Sequence, residues 1–352
     1  MSHGNRLSQK ARYFANCTGI GYLTGHERLA ASRTRDVIPS VSGEQALLEA
    51  SLLERLGGTF DYCAHPAGIA SVDPGLEHIT VRIDPLMGRL QSPLALHSIA
   101  MLLPTRYTGT EANPGEAGGI MGLRITALNE RGLHLSLVGT TATATLDGPT
   151  SAQWSTYLAE HRAWCADNHW QSLWDEPNLH PDEQAHTAST PLWSQRCRET
   201  AWVGSGMLRR IALLHSVTTP YRVTCWHDGS DWKFDISYAL GAKGSHDALI
   251  KQLLHSRWGQ PLQIHHSHCE CTSAPTDESV HLRERMCSLS LTSQGALRGG
   301  IDFRFRSTAR QQDLASRYAA LSAASAEPSW LRLAFPDQQA GASDTKVAPG
   351  RD

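Results

Sequence analysis

Excess charge of one sign is what this chain has little of. Its 32 lysines and arginines face 34 aspartates and glutamates, a formal net charge of −2. A molecule so balanced is no polycation, so any grip on nucleic acid has to come from a local patch. Long apolar runs are lacking too. No stretch approaches the ~20 residues of a membrane span, and the first ten residues hold no apolar core of the kind a signal peptide carries. The eight cysteines, at 17, 63, 165, 197, 225, 269, 271 and 287, form no repeated CxxC pattern. These absences read as a cytoplasmic protein with reduced thiols and no membrane partner. No GxSxG, HExxH or P-loop pattern occurs, and no internal repeat is visible.

What is present is ordinary globular usage, with 40% hydrophobic and 19% charged residues. At 352 residues the chain can bury one large core or two modest ones without a disulfide or a metal. Residues 1–41 are basic and read as an arm with a short helix, Arg12 being a candidate contact for a polyanion. The stripe Leu47, Leu48, Leu52, Leu53 and Leu56 predicts a helix over 43–56, opened by a capping box of Ser42 and Gln45. A strand is expected at 78–84, a long loop over 104–119, β runs at 120–128 and 132–146, and a helix over 150–174 opened by Thr150 or Ser151.

The acidic, proline-bearing stretch 175–192 reads as a linker or insertion between an α+β region at 42–174 and another at 193–336. In the latter, a helix is expected at 194–215. The turn His227-Asp228-Gly229-Ser230 predicts a hairpin over 221–238. Ser245 then caps a helix over 246–257, followed by strands at 262–270, 284–292 and 300–307 and a helix over 310–324. Residues 337–352 read as a disordered tail. Strands meeting through hairpins, with helices interspersed irregularly, predict an α+β fold of mainly antiparallel sheet.

Metal-capable side chains crowd into one stretch: His265, His266, His268, Cys269 and Cys271. On a strand, His266, His268 and Glu270 share one face and His265, Ser267 and Cys269 the other. Zinc, the cofactor such a set suggests, needs three or four donors converging at about 2.0–2.3 Å. A centre using His266, His268, Cys269 and Cys271 therefore calls on a distant partner such as His281 or Cys287. A second set, His161, Cys165 and His169, recurs at i, i+4 and i+8 on the expected helix. Its ends are about 12 Å apart along the axis, too far to share one ion.

The loop Ser293–Gly300 leads into a strand on which Arg304 and Arg306 share a face, with Ile301, Phe303 and Phe305 on the other. Arg298, Gly299 and Gly300 lie in the loop itself, whose backbone N–H groups can hold phosphate oxygens. A sheet face carrying arginines beside such a loop is a platform for single-stranded nucleic acid. The aromatic residues of that strand face away from the arginines and are not available to stack on bases there.

Gly88-Arg89-Leu90-Gln91-Ser92-Pro93-Leu94, after a strand, and the Gly295–Gly300 loop, before one, resemble segments of the repeat-associated RNA-binding superfamily of CRISPR effector backbones. The resemblance covers these short fragments only and carries over no functional residue. The sequence favours a non-catalytic nucleic-acid-binding protein, leaning to RNA or single strands, as a subunit of a larger nucleoprotein assembly. Two alternatives stay open: a metal-dependent enzyme using the His265–Cys271 cluster, and a structural subunit that works through other protein subunits without a ligand of its own.

Overall fold

The computed structural model describes residues 3–32, 36–58, 65–84, 101–109, 116–189, 191–216, 219–239, 246–270, 285–308 and 311–336. Residues 88–94 and 337–352 lie outside these. The expected α+β architecture is present, with helices packed on sheets whose pairings are mostly antiparallel. Among the described residues no helix is long and apolar enough to cross a membrane.

The segment that reads as a basic arm forms two helices, α1 (His3–Thr18) and α2 (Tyr22–Ala31). Ala11, Tyr13, Phe14 and Cys17 are buried, and Arg12 is exposed between them. Helix α3 (Gly43–Gly57) buries Leu48, Leu52, Leu53 and Leu56 of the predicted stripe, with Leu47 half-buried at its edge. Its expected capping box does not form. Ser42 makes no side-chain cap bond, and Gln45 instead bonds Glu49 and both main-chain groups of Thr143.

Strands β1 (Ile69–Pro74) and β2 (His78–Ile83) form a hairpin. The expected loop over 104–119 contains β3 (Thr105–Tyr107) and β4 (Ala117–Gly118). The expected run 132–146 is two strands, so that β5 (Leu123–Asn129), β6 (Gly132–Leu137) and β7 (Thr143–Asp147) make a meander. Helix α4 (Ser151–Asp167) does open on a capping box, of Thr150 with Gln153. It stops short of the predicted 174 because His169 adopts φ +61 and Trp170–Ser172 becomes β8, paired with β3. His169 is thereby removed from the helical face that carries His161 and Cys165.

The stretch 175–192 holds α5 (Pro181–Ser189), and α6 (Pro191–Leu208) and the short α7 (Leu213–Ser216) follow. The predicted hairpin forms from β9 (Arg222–His227) and β10 (Trp232–Ala239). Then come α8 (His246–Leu253), β11 (Leu262–His268), β12 (Arg285–Ser293), β13 (Gly300–Thr308), α9 (Gln311–Ala323) and α10 (Pro328–Ala334).

No repeat is visible in the sequence, yet the topology is duplicated. The first large sheet has the order β1-β2-β7-β6-β5 and the second β9-β10-β13-β12-β11. In each, a hairpin is followed by a three-stranded meander whose last strand inserts parallel to the hairpin's second strand (β2 with β7, β10 with β13). The first meander strand carries a bulge after its third paired residue in both sheets, at Thr126 and at His265. A long helix precedes each sheet, α3 and α6, and these two pack against each other.

One apolar core runs through both sheets and the helices α1, α3 and α6. Inside it lies a saturated ion pair. Arg209 Nε and Nη2 each reach Glu49 at 2.6 Å, Ser205 Oγ donates to the same carboxylate at 2.6 Å, and Arg209 Nη1 donates to the Pro39 carbonyl. Both side chains are buried, so charge-assisted bonds replace the lost water on every side. A second buried pair, Arg124 with Glu183 at 2.7 Å, fastens α5 to β5.

Two predictions follow from these buried groups. Arg209→Met leaves the Glu49 carboxylate buried without its cation, and chemical denaturation should show a loss of about 3–5 kcal/mol. An Arg209→Met/Glu49→Leu double variant should recover most of it; no recovery would mean that shape rather than charge is decisive. The pKa of His215, whose ring centroid lies 4.9 Å from that of His65 in a tilted contact, is held down to about 4 by burial and by that neighbour. The unfolded chain then binds a proton at this site that the folded chain refuses. Stability contributed above the ordinary histidine value of about 6.5 is therefore lost as pH falls from there toward 4. The thermal midpoint should drop across that window, and less steeply in His215→Leu.

Candidate metal centre

The second sheet gathers the chemistry. Across β11 and β12, His268 faces Ser288 and His266 faces Ser290, which puts both histidines on the polar face. Cys269 comes one residue later and turns to the opposite face, where Cys287 sits among the core residues Leu289 and Leu291. The two sulfurs are 3.9 Å apart. His246, the first residue of α8, leans over Phe305 of β13 with ring centroids 5.5 Å apart. The donor atoms of His246, Cys269 and Cys287 all lie within 4.8 Å of one another.

This is a different set from the one expected. Cys269 belongs to both. His266 and His268 are on the wrong face to join it, and His268 instead lies 3.3 Å from Glu270. Cys287, expected as a distant partner, is present. Cys271 and His281 lie outside the described residues. His246 was not singled out at all, because only the sheet register brings residue 246 beside 269 and 287.

The geometry fits a thiolate-binding ion. Two sulfurs held at about 2.3 Å by one tetrahedral zinc are about 3.8 Å apart, against 3.9 Å here. The imidazole stands at most about 1.2 Å farther out than such an ion would hold it, within reach of a side-chain adjustment at a half-buried position. The Glu270 backbone N–H donates to Cys287 Sγ at 3.3 Å, and the Met286 N–H holds the Glu270 carboxylate at 3.0 Å. Backbone N–H groups aimed at sulfur are the kind of second-layer bond that surrounds metal thiolates. Cys287 is buried and Cys269 exposed, so the cluster opens to solvent on one side.

The expected nucleic-acid residues are spread over the same half. Arg304 is exposed at the centre of the polar face. Arg306 lies beside it and pairs with Asp235 at 2.9 Å. Arg298 pairs with Glu199 of α6 at 3.1 Å. Gly299, at φ +104, and Gly300 mark a close approach: a side chain at Gly299 would meet Thr200 and one at Gly300 the Leu291 carbonyl. Arg12 is exposed on α1. One aromatic is on the arginine face after all. Trp226 sits opposite Lys233 on the polar side, supplied by β9 and not by the arginines' own strand.

A cleft of about 640 Å³ lies between α3, α5 and α6, lined by Leu47, Glu54, Met121, Trp193 and Cys197 among others. Behind it Cys197 Sγ stands 3.5 Å from His227 Nδ1, and Thr200 Oγ1 meets His227 Nε2 at 2.7 Å. Thr200 spends its own proton on the Arg196 carbonyl, so His227 carries its proton on Nε2. Burial and the nearby Glu54 push the Cys197 thiol up to about 11, and burial lowers His227. The pair is neutral near pH 7, which makes it a poor nucleophile.

Compared with known proteins, the chain matches no family model, no curated protein and no solved structure.

Proposed function

We propose that this chain is a zinc-binding protein whose ion is held by His246, Cys269 and Cys287. The observation that carries this reading is the convergence of two sulfurs and an imidazole from three separate elements, with a sulfur separation matching that of a tetrahedral zinc. Two thiolates balance the charge of a divalent ion, and sulfur donors favour zinc over magnesium or calcium. The ion ties the start of α8 to the β11–β12 hairpin. Three donors leave one tetrahedral position for a water or another ligand, the donor count of a zinc that does chemistry. Protein purified under reducing conditions should hold about one zinc per chain. Cys287→Ser and His246→Ala should each lose it, whereas His266→Ala and His268→Ala should keep it. Folded, reduced protein free of zinc that also fails to take it up would sink the reading.

A second reading has one observation in its favour. Trp226, Lys233 and Arg304 share the polar face of the second sheet, and an aromatic and an exposed arginine on one sheet face suit single-stranded nucleic acid, RNA in particular. Lys233 already bonds Asp302 and Arg306 is ion-paired with Asp235, so Trp226 and Arg304 carry this reading. Stacking on an aromatic contributes about 1–3 kcal/mol per base. Trp226→Ala should therefore weaken binding of a labelled oligouridylate at least fivefold, and Arg304→Ala should flatten its salt dependence. Equal affinity for both variants and the parent would exclude this face.

A further inference from the structure

The cysteines of this chain do not share one environment. Among the described residues Cys17, Cys165 and Cys225 are buried and Cys197 is half-buried. Burial pushes the thiols of Cys165 and Cys197 up to about 11 and that of Cys17 up to about 12, and it raises that of Cys225 as well. A thiol that keeps its proton so firmly reacts slowly near neutral pH. Cys269 and Cys287 differ from these four in having each other, their sulfurs 3.9 Å apart.

The sheet holds the two in place. His268 pairs with Ser288 across β11 and β12, so extending the register by one residue sets Cys269 opposite Cys287. Directly opposed residues of antiparallel strands have Cα atoms about 4.5–5.5 Å apart, inside the span of about 4.4–6.8 Å that disulfides bridge. The sulfurs are in contact but unbonded, and a small χ1 rotation joins them. Access is one-sided. Cys269 is exposed, whereas Cys287 is buried behind it. An incoming oxidant therefore meets Cys269 first and finds Cys287 already placed to resolve the product.

We propose that Cys269 and Cys287 form a reversible disulfide by exchange with small-molecule disulfides of the glutathione type. The Cys269 sulfur attacks one sulfur of glutathione disulfide, whose S–S bond breaks as one glutathione leaves. The Cys287 sulfur then attacks the Cys269 sulfur of this mixed disulfide, and the second glutathione leaves. The two thiols together give up two electrons and two protons, and one glutathione disulfide becomes two glutathione thiols. Excess glutathione runs the same steps backwards, beginning at the exposed sulfur. Where the pair holds an ion, the disulfide removes two of its three donors and the ion leaves His246. That last consequence rests on the zinc reading; the disulfide does not.

The test uses full-length protein, reduced, stripped of metal with a chelator and held in glutathione buffers of rising oxidised fraction. Remaining thiols are alkylated and the peptides read by mass spectrometry. Alkylation of Cys269 and Cys287 should be lost together, with a cross-linked peptide pair lighter by two hydrogens, while Cys17, Cys165, Cys197 and Cys225 stay alkylated. Cys287→Ser should stop at a glutathione adduct on Cys269. Cys269→Ser, at an exposed position that the fold tolerates, should leave Cys287 reduced, and Cys271→Ser should behave as the parent. A pair that stays reduced at every ratio, a glutathione adduct that Cys287 does not displace, or a Cys269–Cys271 link would overturn the proposal. Zinc-loaded protein in the same buffers should release about one ion per disulfide formed, read with a chromophoric chelator. The two readings fail separately. Protein that takes up no zinc yet forms the disulfide contradicts the zinc reading alone, and zinc-holding protein whose stripped form never oxidises contradicts this proposal alone.

Discussion

The Glu49–Arg209 pair is the constraint around which this molecule is built. It joins α3 to the end of α6, the two helices that introduce the two sheets, and does so inside the core, where an unmatched charge is prohibitive. Every oxygen of Glu49 has a donor: Arg209 twice, Ser205 and Gln45. Gln45 in turn clasps the main chain of Thr143 at the start of β7. The carboxylate thus fixes the distance from α3 to α6 on one side and to the first sheet on the other. An apolar contact would permit sliding. A bidentate ion pair with all its lone pairs used permits one arrangement.

With the halves fixed in this way, their differences become informative. The first half covers its meander edge through Arg124, Glu183 and the Trp174 segment. The second half has Gln263 in place of Arg124 and sets Cys269 and Cys287 on the core side of β11 and β12. Among the described residues the thiolate cluster belongs to the second copy alone. The arginines of the polar face are mostly engaged by acids of neighbouring strands, which leaves Arg304 and Trp226 as the groups a nucleic acid would have to use.

Much of the second half was legible in the sequence. The Asp228-Gly229 turn between alternating runs, the strands around 262–270, 284–292 and 300–307, and the leucine stripe of α3 all follow from local period and turn chemistry. The failures have physical causes. Gln45 prefers a tertiary bond to Thr143 over the local box with Ser42, and the left-handed backbone at His169 ends a helix whose apolar pattern continues to Trp174. The duplication could not be read because it resides in strand order and bulge position, while the matching side chains differ, as Arg124 and Gln263 do. The metal set was half legible. Cys269 stood out within its crowded stretch, but alternation had to be combined with the β11–β12 register to reject His266 and His268, and His246 comes from a helix that only folding brings near.

X-ray absorption at the zinc edge of the metal-loaded protein tests the central claim most directly, because it reads the donor atoms themselves. The account predicts two sulfurs at about 2.3 Å and an imidazole nitrogen at about 2.0–2.1 Å, with the sulfur shell reduced by Cys287→Ser. A shell of nitrogen and oxygen alone, or one altered by His266→Ala and unchanged by Cys287→Ser, would contradict it.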